Sequence, residues 1–344
     1  MRLARLVSLV AAVALVAAAC GGGAATPSPT SAAPAATATQ AAFKLAKAMT
    51  IIAPAGAGGG YDTTARLIAK ILTDSKLYDQ SVTVVNQPGN GGLTATADLV
   101  NNKKGDPYTT MVIGRVALGA QITSKSAVKI SQLTPIARLM GEPEIITAPA
   151  NSPFNDVNDV IAALKKDPNS IKIAGGSAGG IDQELASRLV ELAGGDVKTW
   201  KGYVAYPGGG EAAASIIGGQ VQLGISGGAE WYPHVQSGKM KALGISAAVA
   251  PKSEVGSKIK TLKSQGIDIV LLNWRYLTAP PSLKAEEVKA LQDLMKKVHE
   301  TQAWKDFVAK NDWEDNFTTE GLPAFTESEE KALTKILTDL GLVK

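Results

Sequence analysis

Four times along this chain a short β-branched run leads into a glycine-rich loop and then into helical apolar periodicity. The first instance is Met49-Thr50-Ile51-Ile52-Ala53, followed by PAGAGGGYDTTARLIAKIL over residues 54–72, with Ala65, Ile68, Ile71 and Leu72 on one helical stripe. The second joins Val82-Thr83-Val84-Val85 through Pro88-Gly89-Asn90-Gly91-Gly92 to a helix from about Thr94. The third joins Ile171-Lys172-Ile173-Ala174 through the loop 175–180 to a helix carrying Ile181, Leu185, Leu189 and Leu192, with Gly194 as its stop. The fourth joins Tyr203-Val204-Ala205-Tyr206 through Pro207-Gly208-Gly209-Gly210 to a helix beginning near Glu211. Strands alternating with helices predict an α/β chain whose mostly parallel sheet is covered on both faces. Each glycine loop follows a strand, so all four lie at the carboxyl edge of that sheet, where ligands of such folds bind.

One strand-to-helix turn needs one residue with positive φ, and a single glycine supplies it. Gly56, Gly58, Gly59 and Gly60 exceed that need, and the loop 175–180 repeats the excess in the other half of the chain. A nucleotide does not fit the first loop. A triphosphate-binding loop counted from Gly56 would put its second glycine at Tyr61 and its lysine at Asp62, where a carboxylate repels phosphate. The dinucleotide pattern likewise fails at Tyr61. A small anion remains: a helix N-terminus offers roughly half a positive charge and several free N–H groups. Two such termini, one from each half, are suited to grip a carboxylate between them. Asp62 and Asp182 stand in matching places just past their loops. They serve either as N-caps, with Thr63 the alternative in the first helix, or to fix loop geometry and accept a hydrogen bond from ligand or water.

The N-terminus is of another kind. Arg2 and Arg5 precede an apolar run from Leu6 to Ala19 that is followed by Cys20, the only cysteine. Charge, length and small-residue ending are those of a signal peptide over 1–19, with Cys20 at a lipobox-like cleavage point as the expected lipid attachment site. One cysteine excludes a disulfide framework. Residues 20–42 are rich in Gly, Ala, Pro, Ser and Thr, carry no charge, and read as a flexible tether. Loss of Arg2 and Arg5 lowers the net charge from +4 to about +2, which argues against a nucleic-acid partner.

At the glycine loops the chain resembles a known family, the substrate-binding receptors of tripartite tricarboxylate transporters, also called Bug-type receptors. Its P-x-A-G-G-x-x-D-x-x-A-R element is matched over 54–66 with one extra glycine, and V-x-N-x-P-G-x-G-G over 84–92. Matches continue through Leu133-Thr134-Pro135-Ile136-Ala137-Arg138-Leu139, Ser152-Pro153-Phe154, the loop 175–180, Tyr206-Pro207-Gly208-Gly209-Gly210-Glu211, Gly218-Gly219-Gln220-Val221, 237–243, Asn273-Trp274-Arg275 and Ala279-Pro280-Pro281. Residues 260–266 depart from the family's P-T-x-x-E-x-G, lacking its proline and its acid. The resemblance implies a two-lobed periplasmic-binding-protein fold of type II with two crossovers at the hinge. Lobe 1 would comprise 43–144 and 250–344, and lobe 2 would comprise 145–249. It also implies a ligand carboxylate held mainly by backbone amides and bridging waters, at Ala55, Gly56, Gly58, Gly59 and Asp62 from one lobe and Gly176, Ser177, Ala178, Gly179 and Asp182 from the other. Gly208, Gly209 and Gly210 would floor the pocket.

Arg115 follows an expected strand over 110–114 and serves either as a surface arginine on a loop or to pair bidentately with a second ligand carboxylate. Tyr61 is expected to wall the pocket. Trp274 and Arg275 fit packing near a strand end, and Ser226 and Glu230 fit the cleft or the hinge. Residues 284–344 read as helices bracing the first lobe. His234 and His299, the only histidines, lack companions for a metal site. Gly175-Gly176-Ser177-Ala178-Gly179 reads G-x-S-x-G, so an extracytoplasmic serine hydrolase using Ser177 is the rival from another class. A ligand-sensing partner of a membrane kinase is a third reading. The expected function is a monomeric extracytoplasmic lipoprotein, not an enzyme. It would need no cofactor, capture a small di- or tricarboxylate and deliver it to a two-component membrane permease.

Overall fold

The computed structural model describes residues 43–343. The expected signal peptide, Cys20 and the tether lie outside the described residues. In chain order the elements are β1 (Met49–Ala53), α1 (Gly60–Asp74), β2 (Val82–Asn86), α2 (Leu93–Asn102), β3 (Thr109–Gly114), α3 (Arg115–Thr123), β4 (Thr134–Pro149), α4 (Val157–Lys166), β5 (Ile173–Gly175) and α5 (Ile181–Leu192). There follow β6 (Tyr203–Ala205), α6 (Gly209–Ile217), β7 (Leu223–Gly227), α7 (Gly228–Gln236), β8 (Met240–Ile245), β9 (Leu272–Ala279), α8 (Ala285–Glu300), α9 (Gln302–Lys310) and α10 (Leu322–Asp339). Among the described residues no helix is long and apolar enough to cross a membrane.

The strands join in the order β2-β1-β3-β9-β4-β7-β5-β6, with β8 added against β4. The pairs β1–β2, β1–β3, β5–β6 and β5–β7 are parallel, as strand–helix alternation requires. Those around β9 and β4 are antiparallel, so the sheet is mixed where the expectation was mostly parallel. The reason lies in β4. It is a 16-residue strand whose first part pairs with β9 up to Pro143, and whose second part, from Glu144, pairs with β7 and β8. One strand thus serves both halves of the molecule and is the first crossover.

The return crossover runs from the end of β8 to the start of β9. Ser246 ties the two together: its hydroxyl accepts the Glu144 N–H at 2.9 Å and donates to the Leu271 carbonyl at 2.7 Å. Cores lie on both sides. Ile51, Ile68, Leu72, Leu139, Leu291, Met295 and Trp304 fill one cluster of the first half. Ile146, Ile173, Leu185, Leu189 and Ile225 fill one of the second. Leu262, Ile267, Ile269 and Leu271 also belong to that second cluster, so core membership changes near residue 271 rather than at 249, where the sequence reading divides the chain. The C-terminal helices pack on the first half: Leu291, Leu294, Met295 and Val298 of α8 are buried, and so are Leu322, Leu333 and Leu337 of α10. In the third glycine-loop helix Leu192, expected on the apolar stripe, is 53% exposed, because the helix ends there.

Candidate functional site

The N-terminal turns of five helices surround one small cavity at the carboxyl ends of the strands. Gly60 and Tyr61 come from α1, Val116 from α3, Asp182 from α5, Gly209 from α6 and Glu230 from α7. Gly176 and Ser177 of the third glycine loop, Pro207 and Gly208, and the strand residues Ser226, Asn273 and Arg275 complete the lining. Both halves of the molecule contribute. The volume is about 50 Å³, room for one or two waters. It is small because the loops meet above it: Gly58 lies against Gly210, and Gly59 against Gly208.

The expected site residues divide into three groups. Tyr61, Gly176, Ser177, Asp182, Gly208 and Gly209 line the cavity. Ala55, Gly56, Gly58, Gly59 and Gly210 sit just outside it, where the first glycine loop packs on the loop before α6; a β-carbon at Gly56 would strike the Glu211 carboxylate. Ala178 and Gly179 face wider grooves on the outer side of the loop. The largest of these, about 620 Å³, is bordered by Lys125, Lys198 and Lys201 and lies away from the converging helix termini.

Asp62 and Asp182 are both buried and both brace loops. Neither is an N-cap, since Gly59 and Gly180 hold those places and the helices begin earlier than expected. Asp62 accepts the Gly58 N–H at 2.9 Å and the Asn86 amide at 2.8 Å, and it pairs with Arg66 at 2.9 Å. Burial works against its charge, and these donors outweigh burial, so its carboxyl is held below the usual aspartate range. Asp182 accepts the Gly176 N–H, but burial dominates and pushes its carboxyl up to about 6. The Gly58, Gly176 and Gly179 amides are therefore taken by Asp62, Asp182 and Gln183. Among the described residues no acceptor engages the N–H groups of Gly60, Tyr61, Ser177 or Gly209, and these border the cavity.

Arg115 does not reach the cavity. As the first residue of α3 it points about 100° away from Val116, which does. Its guanidinium is buried between Glu184 of α5 at 2.9 Å and Glu329 of α10 at 3.0 Å. The cation at the cavity is Arg275, which is 1% exposed. It pairs with Glu142, donates to the Thr64 hydroxyl at 3.0 Å, and lies over the Trp313 ring at 5.6 Å. Burial lowers its pKa, and the carboxylates of Glu142, Glu230 and Glu144 more than reverse that. Trp274, its neighbour, faces the other side of β9 and packs on Tyr276 and Phe325, as expected of a structural residue.

Two acids that the sequence reading passed over lie behind the cavity. Glu142 Oε1 accepts the Ala229 N–H at the start of α7 at 2.9 Å. Glu144 is wholly buried beside Asp182, and burial together with the charges of Asp182, Glu142 and Glu230 holds its carboxyl well above the usual range. Their signal in the sequence is two acids spaced by two within the otherwise uncharged run that follows Arg138, Leu139-Met140-Gly141-Glu142-Pro143-Glu144-Ile145-Ile146. Glu230 is raised in the same way, by burial first and by Glu142 next. Neither histidine lines the cavity. His234 is in α7, and His299 pairs with Asp315 at 2.9 Å and stacks on Phe317. Ser177 thus has no imidazole placed to take its proton.

The family model described as tripartite tricarboxylate transporter family receptor matches residues 64–342. A relative from Cupriavidus necator, the UPF0065 protein in the gbd 5' region, is 28% identical over 290 residues, covering 84% of this chain and 86% of its own. The solved periplasmic binding protein BugD aligns with a TM-score of 0.76 at 20% identity, over 87% of this chain and 99% of BugD. MatC from Rhodopseudomonas palustris, solved with bound malate, aligns with a TM-score of 0.75 at 21% identity, over 86% of this chain and 100% of MatC. The architecture is therefore the α/β periplasmic-binding fold that the glycine-loop pattern and the resemblance implied.

Proposed function

Because this chain belongs to the tripartite tricarboxylate transporter family of receptors, we propose that it is an extracytoplasmic solute-binding lipoprotein. It captures a small organic carboxylate between two lobes and passes it to a two-component membrane permease. The observation that carries this reading is the convergence of helix N-termini from both halves on one cavity, with unengaged N–H groups at Gly60, Tyr61, Ser177 and Gly209. Preorganised donors of this kind favour an ionised carboxylate over its neutral ester or amide. Dicarboxylates such as the malate held by MatC are the first class to test. The binding residues are Tyr61, Gly176, Ser177, Gly208 and Gly209, with Asp62 and Asp182 holding their loops in shape.

The cavity is too small for a dicarboxylate, so the lobes open to admit ligand and close over it by movement at the two crossovers. Lipid on Cys20 and the tether over 20–42 would keep a monomeric receptor near its permease. No cofactor enters the mechanism, which is binding and release without chemistry. Calorimetric titration of the full chain with malate, succinate and citrate tests the reading. Micromolar affinity for at least one, lost for its methyl ester, is the expected result. No binding above the millimolar range across the panel would overturn it.

A further inference from the structure

The two halves also meet away from the cavity, along α3. This helix belongs to the first half: its Ala117, Leu118 and Ile122 share a core with Leu322, Leu333 and Leu337 of α10. It faces α5, whose Ile181, Leu185 and Leu189 lie in a core of the second half. Val116 packs on cores of both halves. Glycines bring the backbones together: a β-carbon at Gly119 would strike the Gly179 carbonyl oxygen, and one at Gly179 would strike the Thr123 hydroxyl.

At the start of this seam four charged side chains alternate in sign. Arg188 pairs with Glu184 at 2.8 Å, Glu184 with Arg115 at 2.9 Å, and Arg115 with Glu329 at 3.0 Å. Glu329 also accepts the Trp274 indole N–H at 2.7 Å. The middle link, Arg115 to Glu184, is the one that crosses between halves. It is dry: the Glu184 side chain is 1% exposed and that of Arg115 10%. Breaking a buried pair usually strands a charge, and that opposes opening. This chain of charges divides cleanly, leaving Arg188 with Glu184 on one side and Arg115 with Glu329 on the other, each pair neutral. Arg115 Nε moreover meets no acceptor, so the link does not fully offset the water that the guanidinium gives up, and its net grip stays modest. A contact that is dry when made, balanced when broken and modest in strength suits repeated making and breaking.

We propose that Arg115 and Glu184 form a latch between the halves, made when the lobes close and released when they part. The latch presupposes two lobes that move, and no particular ligand. Because it is built from the chain's own side chains, it favours closure with or without ligand. Its effect on binding follows: where the closed form is the one that grips, apparent affinity rises with the fraction of chains already closed. Arg115 lies outside the cavity lining, so it acts on affinity as a positioning residue, by holding α3 against α5.

Amide exchange on the ligand-free full chain provides the test. Segments 55–61 and 207–211 report closure, because the first glycine loop packs there on the loop before α6. The ion-pair partners of Arg115 and Glu184 lie in neither segment, so a change there reports parting of the halves and not the loss of a local contact. Glu184→Gln and Arg115→Met are each expected to speed exchange in both segments about tenfold, with the interior amides of β1 and β7 keeping their native rates. The double variant should be no faster than the faster single, since both substitutions break one link. Glu329→Gln removes a partner of Arg115 within one half and is expected to stay within about threefold of the native chain. Unchanged exchange in both segments for Glu184→Gln and Arg115→Met would overturn the latch, and so would a double variant whose effect is the product of the singles. Equal acceleration in β1 and β7 would mean a loosened fold, and equal acceleration in Glu329→Gln would mean that the crossing between halves is not what matters. Either would overturn it as well. Each of these outcomes leaves the carboxylate reading to the calorimetric panel, so the two fail separately.

Discussion

Glu144 is wholly buried, and neither of its carboxyl oxygens meets a donor. Burial first, then the charges of Asp182, Glu142 and Glu230, raise its pKa, so the folded chain holds this proton more tightly than the unfolded chain does. Stability from this group is present at low pH. It is lost as pH climbs from the ordinary carboxyl value of about 4.5 upward through the raised folded one. Glu144→Gln removes the titration. The variant is expected to melt higher than the native chain at about pH 7.5, by roughly 1–3 kcal/mol of stability, and to melt alike near pH 4. Equal melts at both pH values would show that Glu144 carries no such burden. Asp62 has the opposite character. Its oxygens take the Gly58 N–H, Asn86 and Arg66, so Asp62→Ala is expected to cost on the order of 1–3 kcal/mol in denaturant titration. It should weaken ligand binding as well, because the first glycine loop loses its brace.

The elements were largely legible in the sequence, and their side-chain directions were not. Glycine loops and helical stripes are local signals, so β1, β2, α1 and α5 are recovered to within a few residues. Arg115 was misplaced by a single helical step: Val116 lines the cavity while Arg115 turns toward α5 and α10. The contact of Arg275 with Glu142 spans 133 residues and depends on β9 pairing antiparallel with β4. No local period announces such a pairing. The helix termini themselves yield a sharp prediction. Alanine normally favours a helix over glycine by about 0.5–1 kcal/mol, yet a β-carbon at Gly60 meets Arg275 and Glu230. Gly60→Ala is therefore expected to lower the melting temperature and abolish ligand binding. A stabilised variant that binds normally would mean that this helix end is not packed against the acidic cluster.

At the scale of the molecule, β4 and the segment returning to β9 are the two links between halves, clasped by Ser246. The first glycine loop and the loop before α6 touch across the mouth of a cavity of about 50 Å³. Ligand that closes the cleft should slow amide exchange at residues 55–61 and 207–211 together, since these segments protect one another only when closed. Slowing confined to one of the two would argue against closure. The most direct test is a crystal structure of the full chain with a bound dicarboxylate. A ligand carboxylate should accept hydrogen bonds from the amides of Tyr61, Ser177 and Gly209, contacting both halves at once. A ligand seated instead in the outer groove beside Lys125, Lys198 and Lys201, with those amides untouched, would contradict it.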